Sequence, residues 1–199
     1  MKKISPKEQK VRVTMGVILQ EANNLLACRG FDLMTMDEVA AAVGIGKPSL
    51  YRHFSSKEEL AAAAMAHLLE RVLEVINAQP ADALAIDKMR GVLRWALEQH
   101  VLRAMPLLPS TRSTLREALL RYPPYVERLA QVAAALSEWI DEARQRAELA
   151  DLPTEVVLYT LFARTCDPVL EYLQLGGALG DDQIVDMLLQ TTFYGLCRR

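Results

Sequence analysis

The sequence predicts an all-α protein of about nine helices. Three observations carry that expectation. Apolar residues recur at three- and four-residue spacing along most of the chain, no alternating strand pattern stands out, and no glycine falls between Gly91 and Gly176. The chain has 199 residues, 51% hydrophobic and 24% charged, which is ordinary globular composition.

Each element has its own signal. Val11, Met15, Ile18, Leu19, Ala22, Leu25 and Leu26 form one apolar stripe over residues 11–29, and Gly30 supplies a stop. Thr35 stands three residues before Glu38, a T-x-x-E capping box ahead of a short helix near 36–43 that Gly44 ends. A second short helix follows Gly46 and runs through Leu50 to Phe54, with Pro48 tolerated in its first turn. Ser55-Ser56-Lys57-Glu58-Glu59 holds two overlapping capping boxes and opens a long helix to about Asn77. Beyond Pro80, helices are expected near 82–104, 110–121, 124–149, 154–175 and 182–197. Breaks fall at Pro106/Pro109, Pro123/Pro124, Asp151-Leu152-Pro153 and Gly176-Gly177. Pro168 should kink the helix that holds it and free a carbonyl near Arg164, and Arg164 and Asp167 stand three apart, a pairing distance on a helix.

Charge and composition narrow the function. Residues 1–57 hold nine Lys/Arg and five Asp/Glu, and residues 58–199 hold the other 14 Lys/Arg and 20 Asp/Glu, so a segment of +4 joins one of -6. An anionic partner is therefore expected only at the N-terminal end. No uncharged apolar run approaches the roughly 18 residues of a membrane span, and the N-terminus does not read as a secretory signal. Cys28, Cys166 and Cys197 are scattered, which fits a reducing cytoplasm and gives neither a disulfide framework nor metal-ligand spacing. There is no phosphate-cradling glycine loop, no G-x-S-x-G and no H-E-x-x-H, so neither an enzyme, a cofactor nor a metal is expected.

The informative segment is 35–57. Two short helices joined by Gly44-Ile45-Gly46 make a helix-turn-helix. Val39, Val43, Ile45, Leu50 and Phe54 are placed inward, which leaves Lys47, Pro48, Tyr51 and Arg52 outward at the head of the second helix. That arrangement suits a DNA major groove. Lys47 is placed to donate to guanine, Pro48 to meet a thymine methyl, and Thr35, Ser49, Tyr51 and His53 to hydrogen-bond phosphates. Lys57, at the start of the next helix, adds its charge to the helix dipole as a phosphate site.

The run T-M-D-E-V-A-A-A-V-G-I-G-K-P-S-L-Y-R-H-F-S-S-K-E-E-L resembles the signature of the TetR family of bacterial transcription regulators, over roughly residues 11–62. Gly44, Tyr51, Phe54 and Lys57 agree in spacing together. One position departs: Gly46 stands where the family commonly has Ser or Thr, so a hydroxyl for phosphate is missing. The resemblance implies a DNA-binding domain at 1–58 and an effector-binding and dimerisation domain at 59–199. It implies a homodimer through helices about 154–175 and 182–197, and a small-molecule effector held among Trp95, His100, Met105, Arg112, Tyr125, Trp139 and Phe162. The DNA face is expected at Thr35, Gly46, Lys47, Pro48, Ser49, Tyr51, Arg52, His53 and Lys57. The expected function is a one-component repressor on a pseudo-palindromic operator, released by the effector. The alternative is a helical ligand-carrier or protein-interaction protein without DNA binding.

Overall fold

A computed structural model describes residues 6–106 and 113–195, with side chains from Met15 onward. Its described residues form ten helices and no strand. They are α1 (Pro6–Leu33), α2 (Met36–Val43), α3 (Lys47–Tyr51), α4 (Lys57–Asn77), α5 (Ala85–Val101), α6 (Thr114–Leu120), α7 (Pro123–Gln145), α8 (Thr154–Thr165), α9 (Val169–Gly176) and α10 (Asp181–Tyr194). The all-α class is as expected. The tenth helix comes from Pro168: the expected helix at 154–175 is split into α8 and α9, because proline has no N–H to continue the ladder. Gly30 acts as the expected stop, with φ 74° and ψ 167°, although helical turns resume after it as far as Leu33.

α4 organises the molecule. Ala61, Ala62, Ala63, Ala64, Met65 and Ala66 are six consecutive buried residues, so this stretch is covered on every side. Small side chains let neighbouring backbones come close, with α1 packed on one flank and α6 and α7 on another. Asn23 of α1 donates from Nδ2 to the Ala64 carbonyl at 2.9 Å, which ties the two helices inside the core.

Two apolar cores share this helix. One joins α1, α2, α3 and the first half of α4 to Leu115, Leu119 and Tyr125. The other joins Ile76 to α5, α7, α8, α9 and α10. Position 58/59 thus lies in the first turn of a helix that belongs to both cores, and no linker separates them.

The last three helices expose large apolar side chains. Val156 and Tyr159 of α8, Val169, Tyr172 and Leu175 of α9, and Met187 and Tyr194 of α10 are exposed, Leu175 at 83% and Tyr172 at 72%. Among the described residues no helix is long and apolar enough to cross a membrane, and no group of three His, Cys, Asp or Glu side chains is placed to hold a metal.

The tight seat of α4 sets a clear expectation. Ala64→Leu should destabilise the fold by about 1–3 kcal/mol through overpacking, read as a lower urea midpoint. The same change at exposed Ala130 should be close to neutral.

Candidate nucleic-acid interface

The helix-turn-helix is built by local hydrogen bonds. Thr35 caps α2: its Oγ1 accepts from the Glu38 N–H at 3.2 Å, and its own N–H donates to Glu38 Oε2 at 3.0 Å. At the other end Gly44 adopts the left-handed conformation, φ 74° and ψ 30°. Its N–H donates to Ala41 O, and the Ile45 N–H to Ala40 O at 3.0 Å, the paired bonds of a Schellman turn. Gly46 then starts α3 without a side-chain cap; its carbonyl accepts from the Ser49 N–H at 2.8 Å. A Cβ at Gly46 would meet only Pro48 Cδ, at 3.7 Å, so the missing hydroxyl is a matter of chemistry and not of space. Leu50 and Phe54 anchor α3 in the first core, with Val39 beneath them.

This anchoring turns Lys47, Pro48, Tyr51, Arg52 and His53 to solvent, with Ser49 half-buried among them. Tyr51 is 45% exposed. The Lys47 ammonium lies 2.8 Å from Asp37 Oδ1 and 6.0 Å from the Tyr51 ring centre. The hydrogen bond to Asp37, and then its charge, raise the lysine pKa above the ordinary value, so Lys47 stays cationic. Both partners are more than half exposed, so the pair is weak and open to exchange. Arg52 donates to Ser49 Oγ at 3.1 Å.

Two expected phosphate ligands are engaged within the fold. Lys57 directs its ammonium to the carbonyls of Phe31 at 2.9 Å and Asp32 at 3.3 Å, and lies 4.3 Å from the Phe31 ring centre. It closes the C-terminal end of α1, because those carbonyls lie where no helical N–H follows. The Thr35 hydroxyl is likewise held in the cap, donating to Glu38 Oε2 at 2.9 Å.

The cavity candidates also divide. A cavity of about 120 Å³ lies between α4, α5, α7 and α8, and Trp95, Met105, Tyr125 and Phe162 line it. His100 does not. It is buried with Nδ1 3.2 Å from Thr165 O, and it borders a separate cleft shared with Cys28, Arg103 and Glu171. Trp139 sits one turn beyond Leu136, the last α7 residue on the wall, and packs in the second core under Lys88. Arg112 lies outside the described residues. The Arg164–Asp167 pair forms at 2.7 Å across the break before α9. Sequence reasoning missed the α4 wall, Met65, Leu68, Leu69 and Val72, whose helical spacing reads as ordinary core.

It also missed Arg71. Its guanidinium lies 5.4 Å from the Trp95 ring centre and donates to Gln99 Oε1 at 2.8 Å and to Gln20 Oε1 at 3.1 Å. One side chain of α4 therefore joins the cavity wall to α1.

With this geometry in view, residues 18–64 match the family model described as bacterial regulatory proteins, tetR family. The match covers α2, α3 and the flanking parts of α1 and α4. The regulator TcmR of Streptomyces glaucescens is 28% identical over 142 residues, 65% of this chain and 62% of that protein. The activator FasR of Mycolicibacterium smegmatis is 38% identical over 62 residues, 31% of this chain and 28% of its own. The chain thus spans less than two thirds of the length of these relatives. Among solved structures, the fatty acid degradation regulator FadR of Bacillus halodurans has the same fold across all of both chains, with TM-score 0.71 and 18% identity. AibR, solved with isovaleryl coenzyme A and operator DNA, has TM-score 0.61 and 22% identity over 90% of this chain and 98% of its own.

The caps make the helix-turn-helix sensitive to acid. Hydrogen bonds from the Thr35 hydroxyl hold the Glu38 carboxyl below its ordinary 4.5, with Arg29 adding to the effect, and the Ser55 hydroxyl and N–H do the same for Glu59. A lowered folded-state value stabilises above the unfolded value, and that contribution is lost as pH falls below 4.5. Urea midpoints should drop between about pH 6 and about pH 3, and Glu59→Gln should flatten part of that drop.

Proposed function

We propose that this chain is a TetR-type one-component transcription regulator, a repressor that binds a pseudo-palindromic operator as a homodimer and leaves it when a small effector binds. The single observation behind this reading is α3: a short helix anchored by Leu50 and Phe54, with Lys47, Pro48, Tyr51 and Arg52 all on its open face. In this reading Lys47 exchanges Asp37 for a guanine edge, Tyr51, Ser49 and His53 meet phosphates, and Arg52 supplies charge to the backbone. Gly46, at the head of α3, offers its backbone alone to the duplex. Thr35 and Lys57 act one step back, by holding α2 and the end of α1 in place.

The exposed apolar strip on α8, α9 and α10 supports pairing of two copies. Such a strip is the composition of a subunit interface, and a four-helix contact would cover it. Paired copies must hold their α3 helices about 34–36 Å apart, or a multiple of that, to fit successive major grooves. The cavity supports the effector half. A ligand acts only by preferring one arrangement over another. Arg71 gives the wall residue Trp95 a direct tie to Gln20 of α1.

Duplexes selected from a random pool provide the test of the DNA face. Lys47→Ala and Tyr51→Ala should each weaken binding at least about tenfold in gel shifts, with unchanged circular dichroism. Binding by the unaltered chain should fall steeply with salt, through counterion release. Absence of any salt-dependent duplex affinity would leave a helical ligand-carrier or interaction protein instead. A second expectation concerns assembly: Tyr159→Glu combined with Leu175→Glu should give a monomer in sedimentation equilibrium and should weaken duplex binding with it.

A further inference from the structure

We propose that the cavity takes a compact, rigid apolar molecule of one or two rings bearing one oxygen acceptor, seated with that oxygen at the Tyr125 hydroxyl. The inference rests on reading the cavity as the effector site. It adds the chemical class of the effector.

Size is the first argument. Apolar cavities of about 150 Å³ stay dry and admit molecules the size of benzene, and this one measures about 120 Å³. A fused pair of rings requires the half-buried Leu129 and Trp95 of its wall to move. A long acyl chain, such as the stearoyl group solved with the regulator FadR of Bacillus subtilis, exceeds that volume. A compact body also loses less conformational freedom on entry than a chain does.

Polar atoms supply the second argument. Among the described residues the wall is aliphatic, thioether or aromatic except at one end, where Tyr125, Thr165 and Cys166 meet. The Thr165 hydroxyl already donates to Phe162 O at 2.8 Å, and the Cys166 thiol is directed at Pro106 O at 3.7 Å. Tyr125 differs. It is 6% exposed, and its hydroxyl enters no hydrogen bond among the described residues. Burial, and then the nearby Cys166, push the phenol above its ordinary 10.0, so the group keeps its proton. A donor not engaged by the protein is available to a ligand carbonyl or ether oxygen. The same chemistry selects against a purely hydrocarbon ligand, which leaves the donor as it was.

The pair 1-tetralone and tetralin tests this, since the two differ by one carbonyl oxygen. Calorimetric titration of the full chain without DNA should show 1-tetralone bound about three- to tenfold more tightly, the effect of one neutral hydrogen bond. In Tyr125→Phe that preference should vanish while tetralin binding persists. Leu129→Trp, which fills the cavity from a half-buried position, should abolish binding of both ligands in a protein that still unfolds cooperatively. Equal affinity for the two ligands, a preference that survives in Tyr125→Phe, no binding of either ligand, or displacement of 1-tetralone by stearoyl coenzyme A would each overturn the proposal. Because no duplex is present, loss of DNA binding in gel shifts counts against the regulator reading alone.

Discussion

The close approach of three helices around Ala61–Ala66 is the constraint on which the molecule depends. A helix can be covered on every side only if its side chains are small, and five of these six residues are alanine. The consequence is mechanical. α4 begins in the helix-turn-helix core and ends in the second core without a loop between them. A dense interior transmits displacement instead of absorbing it. Movement of the cavity wall at Met65 or Leu68 is therefore movement of the same rod that seats α1. Arg71 adds a polar tie in parallel, through Trp95 on one side and Gln20 on the other.

The N-terminal module is stiff for local reasons. Its turn is closed by two backbone bonds at Gly44, its first short helix by a reciprocal cap at Thr35 and Glu38, and its long helix by Ser56, which accepts from the Glu59 N–H. Lys57 ties this frame to the end of α1 through two carbonyls and an aromatic face. Its ammonium is held on three sides by groups of α1, which makes it a clamp. By contrast, Lys47 and Asp37 meet in the open, where Coulomb attraction is small and water competes. The two lysines differ by ten positions and by role, and the difference lies in what surrounds each ammonium.

Much of this was legible in the chain. The capping box at Thr35, the left-handed glycine at 44, the inward Leu50 and Phe54 and the outward Lys47 and Tyr51 follow from spacing, because short-range geometry fixes them. The break at Pro168 was legible for the same reason, although a full separation into two helices was not. What escaped were distances between segments far apart in sequence. Lys57 and Phe31 are neighbours only once α1 folds onto α4. Trp95 and Trp139 occupy similar apolar positions in the pattern, yet one walls a cavity and the other fills a core. A cavity is a shortfall of volume among residues that all look correctly apolar, and no periodicity records it. His100 was placed in that cavity because it lies on α5, whereas its ring turns the other way.

That ring shows how far the effect of a single proline reaches. Pro168 ends the hydrogen-bond ladder of α8, and the Val169 N–H, which would have served the Thr165 carbonyl, goes to Asp167 Oδ1 instead. The vacated carbonyl is taken by His100 Nδ1. A carbonyl can only accept, so Nδ1 is the nitrogen that must carry a hydrogen here. A residue with no N–H of its own thereby orients a ring on another helix. The cleft between α1 and α9 meets the other ring nitrogen, Nε2, which lies 3.9 Å from the Glu171 carboxylate.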